Sequence, residues 1–359
     1  MKINLKINGI VYENNYLLEF CKFKIKSPEF EEEKEIYEFI LNWFDSNNFI
    51  NVQTSGTTNT PKTITLLKQH MINSAINTVK FFDIKTNHNI LMCLPARFIS
   101  GKMMIVRAFV ANCNLLIVRP SKNPFREIQQ EIYFTAITPY QLINSIETIK
   151  KLKVKNIIIG GAEIPPSIEK KLYEVKKTNF YATFGMTETC SHVALRKIDK
   201  NNTIPIYKAL PGINFSVDEK NCLIINAPQI SNEKVITKDI AELIDDKSFI
   251  WKGRYDNVIN SGGIKFCPEE IEKKISHLIK YPYFIGSLKD DNFGEKIVLF
   301  LENKYSDKEE IENLKKELKK ILSKYETPKE IVCLKKFIYS ENKKIQRKKT
   351  ISNYLKNFH

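Results

Sequence analysis

The sequence predicts an α/β protein with a large N-terminal domain and a small C-terminal α+β domain. Short apolar runs alternate with segments of helical periodicity in the first half of the chain, which is typical of strands with parallel pairing. After Leu223, short strand-like runs separated by Asp and Lys turns follow one another, and two helices with clear start signals come later. We place the domain boundary, a hinge, near Asp256, so that residues 1–255 form the first domain and residues 256–359 the second.

The elements of the large domain follow from these apolar runs. An alternating pattern at Met1–Leu5 and an apolar run at Phe49–Val52 predict strands, and Ile64–Ile76 has a helix-like pattern. Four further buried strands are predicted at Ile90–Leu94, Leu115–Val118, Tyr133–Thr138 and Asn156–Ile159. Two helices are predicted at Tyr140–Leu152 and Ser167–Val175.

Two helices are also predicted in the small domain. The first begins at Pro268, because proline fits a first helical turn and the two glutamates that follow suit the positive end of the helix dipole. The second has a capping-box pattern, Ser306 with Glu309, and is predicted to continue until Pro328 stops it.

Composition and charge narrow the class of protein. The chain has 359 residues, of which 43% are hydrophobic and 27% charged, as in an ordinary globular protein. No signal-peptide pattern and no membrane-spanning apolar run is visible in the sequence, so a cytoplasmic location is expected. The net charge of +15 comes from lysines mixed with glutamates, without a recognisable nucleic-acid module. We therefore expect solvated lysine faces and an anionic small-molecule substrate, and no nucleic acid.

Cysteines and histidines do not form a ligand pattern in the sequence. None of the 7 cysteines belongs to a CxxC pair, and their odd number favours reduced, buried thiols over a disulfide framework. The 5 histidines are scattered and contain no HExxH. A catalytic metal held by protein side chains alone is therefore not expected, and the oligomeric state is left open.

The most informative segment is Thr54–Lys62, which reads T-S-G-T-T-N-T-P-K. Its hydroxyls, glycine and lysine are groups that bind polyphosphate. One alternative is a P-loop, from which Gly56–Thr63 differs at Pro61. Proline has no N–H to donate to a phosphate, and no apolar strand ending in aspartate follows to hold Mg²⁺. The P-loop hypothesis is therefore disfavoured.

The same segment resembles the phosphate loop of acyl-adenylate-forming enzymes, the superfamily of acyl-CoA synthetases and adenylation domains. Five further segments resemble family motifs in the family's order. They are Gly160–Pro165, Phe180–Glu188, Thr237–Asp239, Gly253–Glu272 and Asn342–Arg347. The sequence departs from the usual residues at Asn59, Phe184, Lys238 and Lys343, and most family members are longer before the phosphate loop. The resemblance thus implies a large domain that is truncated relative to the family.

The resemblance implies a role for each matching residue. The phosphate-binding residues would be Thr54, Ser55, Gly56, Thr57, Thr58 and Lys62. Gly161, Ala162 and Phe184 would contact adenine, and Asp239 and Arg254 the ribose. Thr187 would contact the α-phosphate, Glu188 would hold Mg²⁺, and Lys344 would be the catalytic lysine. Asp256 would be the hinge, and Ser261, Gly262 and Gly263 would border the CoA channel.

The implied reaction uses ATP, Mg²⁺, CoA and a carboxylic acid. The acid attacks the α-phosphate and forms an acyl-adenylate, the small domain then rotates about Asp256, and the CoA thiol takes the acyl group. Leu94–Met104 and Gly185–Val193 resemble o-succinylbenzoate–CoA ligases of menaquinone biosynthesis. Such an acid has a second carboxylate, for which Arg97, Lys102 and Arg107 are candidates. Phe98 replaces the family's histidine, and His192 is a candidate for the aromatic end of the acid.

Two alternatives stay open. In the first, the chain is an adenylating ligase that uses another aryl or acyl acid or a carrier-protein acceptor. In the second it is a non-enzymatic nucleotide-binding relative, a hypothesis that the departures at Asn59, Lys238 and Lys343 motivate. Retention of Lys62, Glu188, Asp239, Arg254 and Lys344 argues against the second alternative.

Overall fold

The computed structural model describes residues 4–53, 63–201, 204–303, 307–340 and 344–357. Its α-helices are α1 (Asn14–Lys26), α2 (Glu33–Trp43), α3 (Lys68–Phe82), α4 (Ile99–Ala111), α5 (Pro139–Ile149), α6 (Pro166–Leu172), α7 (Pro268–Ile275), α8 (Lys308–Ile321) and α9 (Arg347–Lys356). None of the helices in these ranges is both long and apolar enough to cross a lipid bilayer.

The strands fall into a large sheet, a small sheet and a hairpin. In chain order they are β1 (Asn4–Ile7), β2 (Ile10–Glu13), β3 (Phe49–Gln53), β4 (Thr63–Leu67), β5 (Asn89–Met92), β6 (Asn114–Ile117), β7 (Ile132–Ile137), β8 (Val154–Ile159), β9 (Asn179–Gly185), β10 (His192–Ile198), β11 (Ile206–Ala209), β12 (Asn214–Val217), β13 (Cys222–Asn226), β14 (Val235–Asp245), β15 (Ser248–Arg254), β16 (Ile259–Ser261), β17 (Ile264–Phe266), β18 (Tyr283–Asp290), β19 (Gly294–Glu302) and β20 (Glu330–Leu334).

A 13-stranded sheet forms the body of the large domain, in the order β12-β13-β14-β15-β11-β10-β9-β8-β7-β5-β6-β1-β2. Pairing is parallel from β9 through β8, β7, β5 and β6 to β1, and antiparallel towards β12. Ile90 and Met92 pack in one hydrophobic cluster and Leu91 in another, because successive side chains of β5 point to opposite faces. The predicted α/β class is confirmed, as are the four buried strands.

The parallel strands put several loops at one edge. β5, β7, β8 and β9 all end at the same side of the sheet, since parallel strands share their direction. The segments after β5, β8 and β9 are Leu94–Phe98, Gly160–Glu163 and Met186–Ser191. They contain the candidates Arg97, Phe98, Gly161, Ala162, Thr187 and Glu188. Ligands of open α/β sheets bind at this edge.

The helix pattern predicted over Ile64–Ile76 is wrong in its first turn. Thr63–Leu67 forms β4, paired antiparallel with β3, and the helix begins at Lys68. The residues of β4 read T-I-T-L-L, and β-branched side chains fit the pleated surface of a hairpin better than a helix. Residues 54–62, between the two strands, lie outside the described residues.

The small domain is a separate sheet, built from β16–β20, with α7, α8 and α9 against it. α7 begins at Pro268 as predicted. Asp307, and not Ser306, caps α8, because its side chain accepts a hydrogen bond from the N–H of Glu309. Ser306 itself lies outside the described residues. α8 ends at Ile321, well before Pro328, since Leu322 already has an extended backbone.

Candidate active site

The turn after β8 approaches neighbouring atoms so closely that it requires glycine. A Cβ at Gly160 would lie 2.3 Å from Oγ1 of Thr183 on β9, and Gly161 has a φ of +91°. A side chain at Gly160 would push against the end of the adjacent strand, and one at Gly161 would be strained. The turn that leads to Ala162 therefore exposes bare backbone at the carboxyl edge of the sheet.

The end of β9 presents an aromatic ring and then two polar side chains. Phe184 is half-buried, with its ring centroid 6.0 Å from that of Tyr207 and 5.0 Å from that of Phe249. The following 3₁₀ turn, Thr187–Thr189, leaves Thr187 half-buried and Glu188 exposed. The hydroxyl of Thr189 closes this turn, donating to the Met186 carbonyl and accepting from the Met186 N–H, each at 3.1 Å. The side chains of Thr187 and Glu188 are thus not needed as helix caps.

This turn packs against β4, the strand that follows the predicted phosphate loop. Thr54, Ser55, Gly56, Thr57, Thr58 and Lys62 all lie outside the described residues. The described strand β4, which begins directly after that segment, lies beside the turn that contains Thr187 and Glu188.

A carboxylate and a guanidinium meet where Arg254, the last residue of β15, pairs with Asp239 within β14. Nη1 of Arg254 lies 3.0 Å from Oδ2 of Asp239, and the indole N–H of Trp251 donates to Oδ1 at 2.9 Å. Burial raises the pKa of Asp239, although the charge of Arg254 and the hydrogen bonds of Trp251 and Arg254 act in the opposite direction. The two hydrogen bonds fix the orientation of the Asp239 carboxylate. Its oxygens are acceptors, which is the kind of group that can bind hydroxyls such as those of a ribose.

Asp256 lies two residues after Arg254 and is held by two cations. Its carboxylate is 3.0 Å from Nζ of Lys238 and 3.5 Å from Nη2 of Arg254. Burial raises its pKa, but the hydrogen bond and charge of Lys238 and the charge of Arg254 outweigh burial and hold the pKa below the ordinary value. Lys238, which departs from the family's glycine, thus pairs with the predicted hinge residue.

Lys344 of the small domain reaches the carboxyl edge of the large sheet. Its Cε lies 3.8 Å from where a Cβ would stand on Gly161. Burial, and secondly the positive charge of Arg254, lower its pKa below the ordinary value. Arg347 anchors the segment that carries it: Nη1 and Nη2 lie 2.7 and 2.8 Å from the carboxylate oxygens of Glu272 on α7. The structure thereby brings together Gly161, Arg254 and Lys344, which are far apart in sequence.

A buried cluster of polar side chains around one cation, Arg107, adjoins Gly185, the residue after Phe184. Arg107 on α4 is only 2% exposed, and its Nη2 lies 3.2 Å from Oγ of Ser191 and 3.5 Å from Nδ1 of His192. His192 pairs directly with Gly185 across β9 and β10. Burial lowers the pKa of Arg107 to about 9 and, together with the charge of Arg107, places the pKa of His192 well below its ordinary value. The imidazole is therefore neutral.

Within the described part of the chain, no carboxylate pairs with Arg107, and its buried Nε has no hydrogen-bond partner. Such a group is costly unless an anion completes it. Sequence reasoning missed Ser74 and Thr78 of α3, whose hydroxyls lie 2.8 Å from Oγ of Ser191 and 3.4 Å from Nε2 of His192. Their spacing of one helical turn is the only sequence signal they have.

The other acid-binding candidates lie elsewhere. Arg97 forms a 2.8 Å ion pair with Glu35 of α2, and its guanidinium also lies 5.1 Å from the ring centroid of Phe98. Nζ of Lys102 lies 4.9 Å from the ring centroid of Phe39, also on α2, and burial lowers its pKa to about 8. Of the three cations, only Arg107 is brought to Ser191 and His192.

The predicted CoA-channel residues form a tight hairpin in the small domain. Ser261 ends β16, and Gly262 and Gly263 have φ values of +60° and +81° before β17 begins. Two consecutive positive φ angles are those of a type I′ turn, for which glycine is suited. The turn is exposed, so it is accessible to a ligand.

No cluster of three or more metal-ligating side chains occurs among the residues that the structure describes. A single carboxylate such as that of Glu188 is nevertheless enough for Mg²⁺ when phosphate oxygens of a nucleotide supply further ligands.

Comparisons with known proteins show which proteins the chain resembles. Escherichia coli 2-succinylbenzoate–CoA ligase is 24% identical over 264 residues, which cover 69% of this chain and 57% of the ligase. The chain thus spans less than two thirds of that relative's length.

Two solved structures share the fold. An acyl-CoA synthetase (AMP-forming)/AMP-acid ligase II-like protein from Dyadobacter fermentans is 29% identical, with a TM-score of 0.59 over 98% of this chain and 99% of that one. The o-succinylbenzoate–CoA synthetase of Bacillus subtilis, solved with its acyl-adenylate intermediate, has a TM-score of 0.72 at 17% identity, over 92% of this chain and 80% of that one. The AMP-binding enzyme family matches residues 19–225, more than half of the sequence. The chain therefore belongs to the AMP-binding enzyme family.

Proposed function

We propose that this protein is an ATP-dependent acid–CoA ligase that makes an acyl-adenylate and then a thioester, and that its acid is o-succinylbenzoate of menaquinone biosynthesis. The observation that carries the choice of acid is Arg107, which is buried next to Ser191 and His192 and has no carboxylate partner in the described ranges. The name of the Escherichia coli relative supports the same choice.

The position of Arg107 favours an acid with two carboxylates. The cluster around it begins opposite Gly185, and Phe184 and Thr187 lie on either side of that glycine. An acid whose reacting carboxylate lies at the α-phosphate near Thr187 would extend its other end towards the cluster. A second carboxylate there would pair with the guanidinium and complete its hydrogen bonds, whereas an unbranched fatty acid would leave the cation uncompensated.

The nucleotide would bind along the carboxyl edge of the sheet. The bare turn at Gly161 and Ala162 and the ring of Phe184 form opposite sides of an adenine site, since β8 and β9 are neighbours. Asp239, with Arg254 beside it, would accept hydrogen bonds from the ribose hydroxyls. Residues 54–62 would supply hydroxyls and Lys62 to the phosphates, as the family resemblance implies.

The chemistry is governed by charge, because a carboxylate must approach a polyphosphate. Lys344 would place its ammonium between the acid and the α-phosphate, and Thr187 would donate a hydrogen bond to the same phosphate. Glu188 would hold Mg²⁺ with the oxygens of ATP; when bound, the metal supplies further neutralisation of phosphate charge. Arg347, fixed to Glu272, would keep the segment that carries Lys344 in place.

The second half-reaction would use the other side of the small domain. Rotation about Asp256 would withdraw Lys344 and bring the Ser261–Gly263 turn to the acyl-adenylate. The exposed backbone of Gly262 and Gly263 offers little steric hindrance to the pantetheine arm of CoA.

The test is pyrophosphate release with ATP, Mg²⁺, CoA and a panel of acids. We expect strong preference for o-succinylbenzoate and full turnover only with CoA. Turnover with another acid or a carrier-protein acceptor would keep the ligase chemistry and reject this substrate. Nucleotide binding without turnover on a broad panel would favour the non-enzymatic alternative.

Lys344→Ala separates the two half-reactions. Adenylation, measured by pyrophosphate exchange, is expected to fall by roughly two to three orders of magnitude, as for loss of a group that stabilises transition-state charge. Reaction of supplied acyl-adenylate with CoA should be largely retained. Lys356→Ala, at the exposed end of α9, is the control and should leave both steps unchanged. Equal loss of both half-reactions in Lys344→Ala would contradict the role of Lys344.

A further inference from the structure

α7 of the small domain lies on β15 of the large domain, directly beside the nucleotide edge. A Cβ at Gly253 on β15 would lie 2.5 Å from Oε2 of Glu269, so the first turn of α7 approaches the strand as closely as glycine permits. The same helix bears Glu272, which anchors Arg347 and thereby the segment of Lys344. Its docking and the position of Lys344 are therefore parts of one arrangement of the two domains.

Lys273 of α7 makes three contacts across this boundary. Its Nζ lies 3.0 Å from Oε1 of Glu163 and 3.3 Å from the Trp251 carbonyl oxygen, and 5.1 Å from a Trp251 ring centroid. Glu163 immediately follows the turn at Gly161 and Ala162. Trp251 donates its indole N–H to Asp239. The ammonium of Lys273 thus contacts both the Gly161–Glu163 turn and Trp251, the residue that orients the Asp239 carboxylate.

We propose that Lys273 is a positioning residue for adenylation. Its ammonium joins the Gly161–Glu163 turn to Trp251 and so holds the two sides of the nucleotide site together. It does so only while Lys344 faces that site. This inference rests on the proposed function and names a residue that no part of it uses. Lys273 touches no reacting atom. Rotation of α7 away from β15 would break all three contacts at once, so the bridge exists in the adenylation arrangement alone.

Contact geometry explains why this side chain, and not another on α7, has the role. Lys274, the next residue, forms its ion pair with Glu326 inside the small domain and contacts nothing at the nucleotide edge that the structure describes. Lys252 and Glu270 also face each other across the boundary, but at 3.7 Å and with Lys252 already 2.7 Å from Glu242 of its own sheet. Lys274→Met is therefore a matched control that removes a lysine from the same helix.

The first measurement is amide hydrogen exchange on the full-length protein without ligands, so it does not depend on turnover. Lys273→Met is expected to raise exchange in peptides covering residues 160–164 and 249–254, because both segments lose a common partner. Lys274→Met should match the wild type in these peptides. Equal exchange in the two variants would overturn the proposal.

The second measurement compares the half-reactions. Lys273→Met is expected to slow pyrophosphate exchange about tenfold, the combined effect of one exposed ion pair and one cation–π contact, with unchanged conversion of supplied acyl-adenylate to thioester. The double variant Glu163→Lys with Lys273→Glu should recover part of the loss, because it restores the ion pair in reversed polarity. The unchanged thioester step is the readout that a merely structural role would not give, since general destabilisation would slow both half-reactions. Equal loss of both half-reactions, or no recovery, would overturn the positioning role. If the wild type turns over no acid, the proposed function fails, and the exchange measurement alone decides whether the bridge exists.

Discussion

At the scale of single residues, Arg107 is the position on which substrate choice depends. Replacing it with methionine keeps an unbranched apolar stem but removes the guanidinium and its charge, so preference for a second carboxylate should disappear. We expect kcat/KM for o-succinylbenzoate to fall roughly 10²-fold or more, as for loss of a charge-assisted hydrogen bond pair in a buried site. The measurement is initial-rate kinetics of pyrophosphate release.

The control for Arg107→Met is a change of substrate, not of protein. 4-Oxo-4-phenylbutanoate is the same acid without its ring carboxylate and should be used about equally by the wild type and the variant. If both acids lose activity to the same degree, Arg107 supports the fold and does not recognise the carboxylate.

For single residues, the sequence shows which chemical groups are present better than it shows which groups they contact in the fold. Arg97, Lys102 and Arg107 are equivalent in sequence, being cations on or near one helix, yet two of them face α2 and one faces Ser191. What separates them is the orientation of α4 against α2 and β10, which depends on contacts between residues distant in the chain. By contrast, Gly160 and Gly161 are recognisable because a close approach leaves a sequence signal.

At the scale of elements, the capping box of α5 supports the carboxyl edge of the sheet. Thr138 accepts a hydrogen bond from the N–H of Gln141, whose amide in turn donates to the Cys93 carbonyl at 3.0 Å and the Ser121 carbonyl at 3.1 Å. Thr138→Ala is expected to lower the free energy of unfolding by about 1 kcal/mol, because one N-cap is lost. Chemical denaturation measures this change.

Thr138→Ser keeps the capping oxygen and serves as the control, with a much smaller expected change in stability. A Thr138→Ala variant as stable as the wild type would mean that water or Gln141 alone satisfies the helix end. Adenylation should be nearly unchanged in both variants, since Thr138 contacts no predicted nucleotide ligand.

Periodicity predicts whole elements well and their ends poorly. β5, β6, β7 and β8 are apolar on both faces and therefore visible in the sequence. The short hairpin strand β4 is hidden because T-I-T-L-L runs directly into the apolar stripe of α3. The cap of α8 is Asp307, one residue after the predicted Ser306; serine and aspartate are both good N-caps, so the sequence alone does not choose between them.

At the scale of the whole molecule, the sheet order could not be read from the sequence. The sequence predicts short strands after Leu223 but not their partners. In the structure, β14 and β15, together with β12 and β13 before them, continue the same 13-stranded sheet through antiparallel pairing. These strands pair in chain order, but the pairing that joins them to the rest of the sheet is that of β15 with β11, which sets Ile206 opposite Ile250 and leaves no local pattern. The meeting of Lys344 with Gly161 is likewise a property of how the two domains dock.

That docking makes the pH dependence of adenylation a test of the arrangement of the two domains. Burial and the charge of Arg254 hold the pKa of Lys344 below its ordinary value, so the ammonium is lost earlier as the pH rises. The alkaline limb of the pH profile of kcat/KM reports ionisation in the free enzyme. This limb should therefore begin at a lower pH than an ordinary lysine would give. Arg254→Gln removes a like charge and thus favours the protonated lysine, so this limb should move to higher pH even though the variant binds ribose less well. Arg126→Gln, an exposed arginine elsewhere on the large domain, should leave the limb in place. A limb that stays fixed in Arg254→Gln would mean that Lys344 does not stand beside Arg254 when the free enzyme meets its substrates.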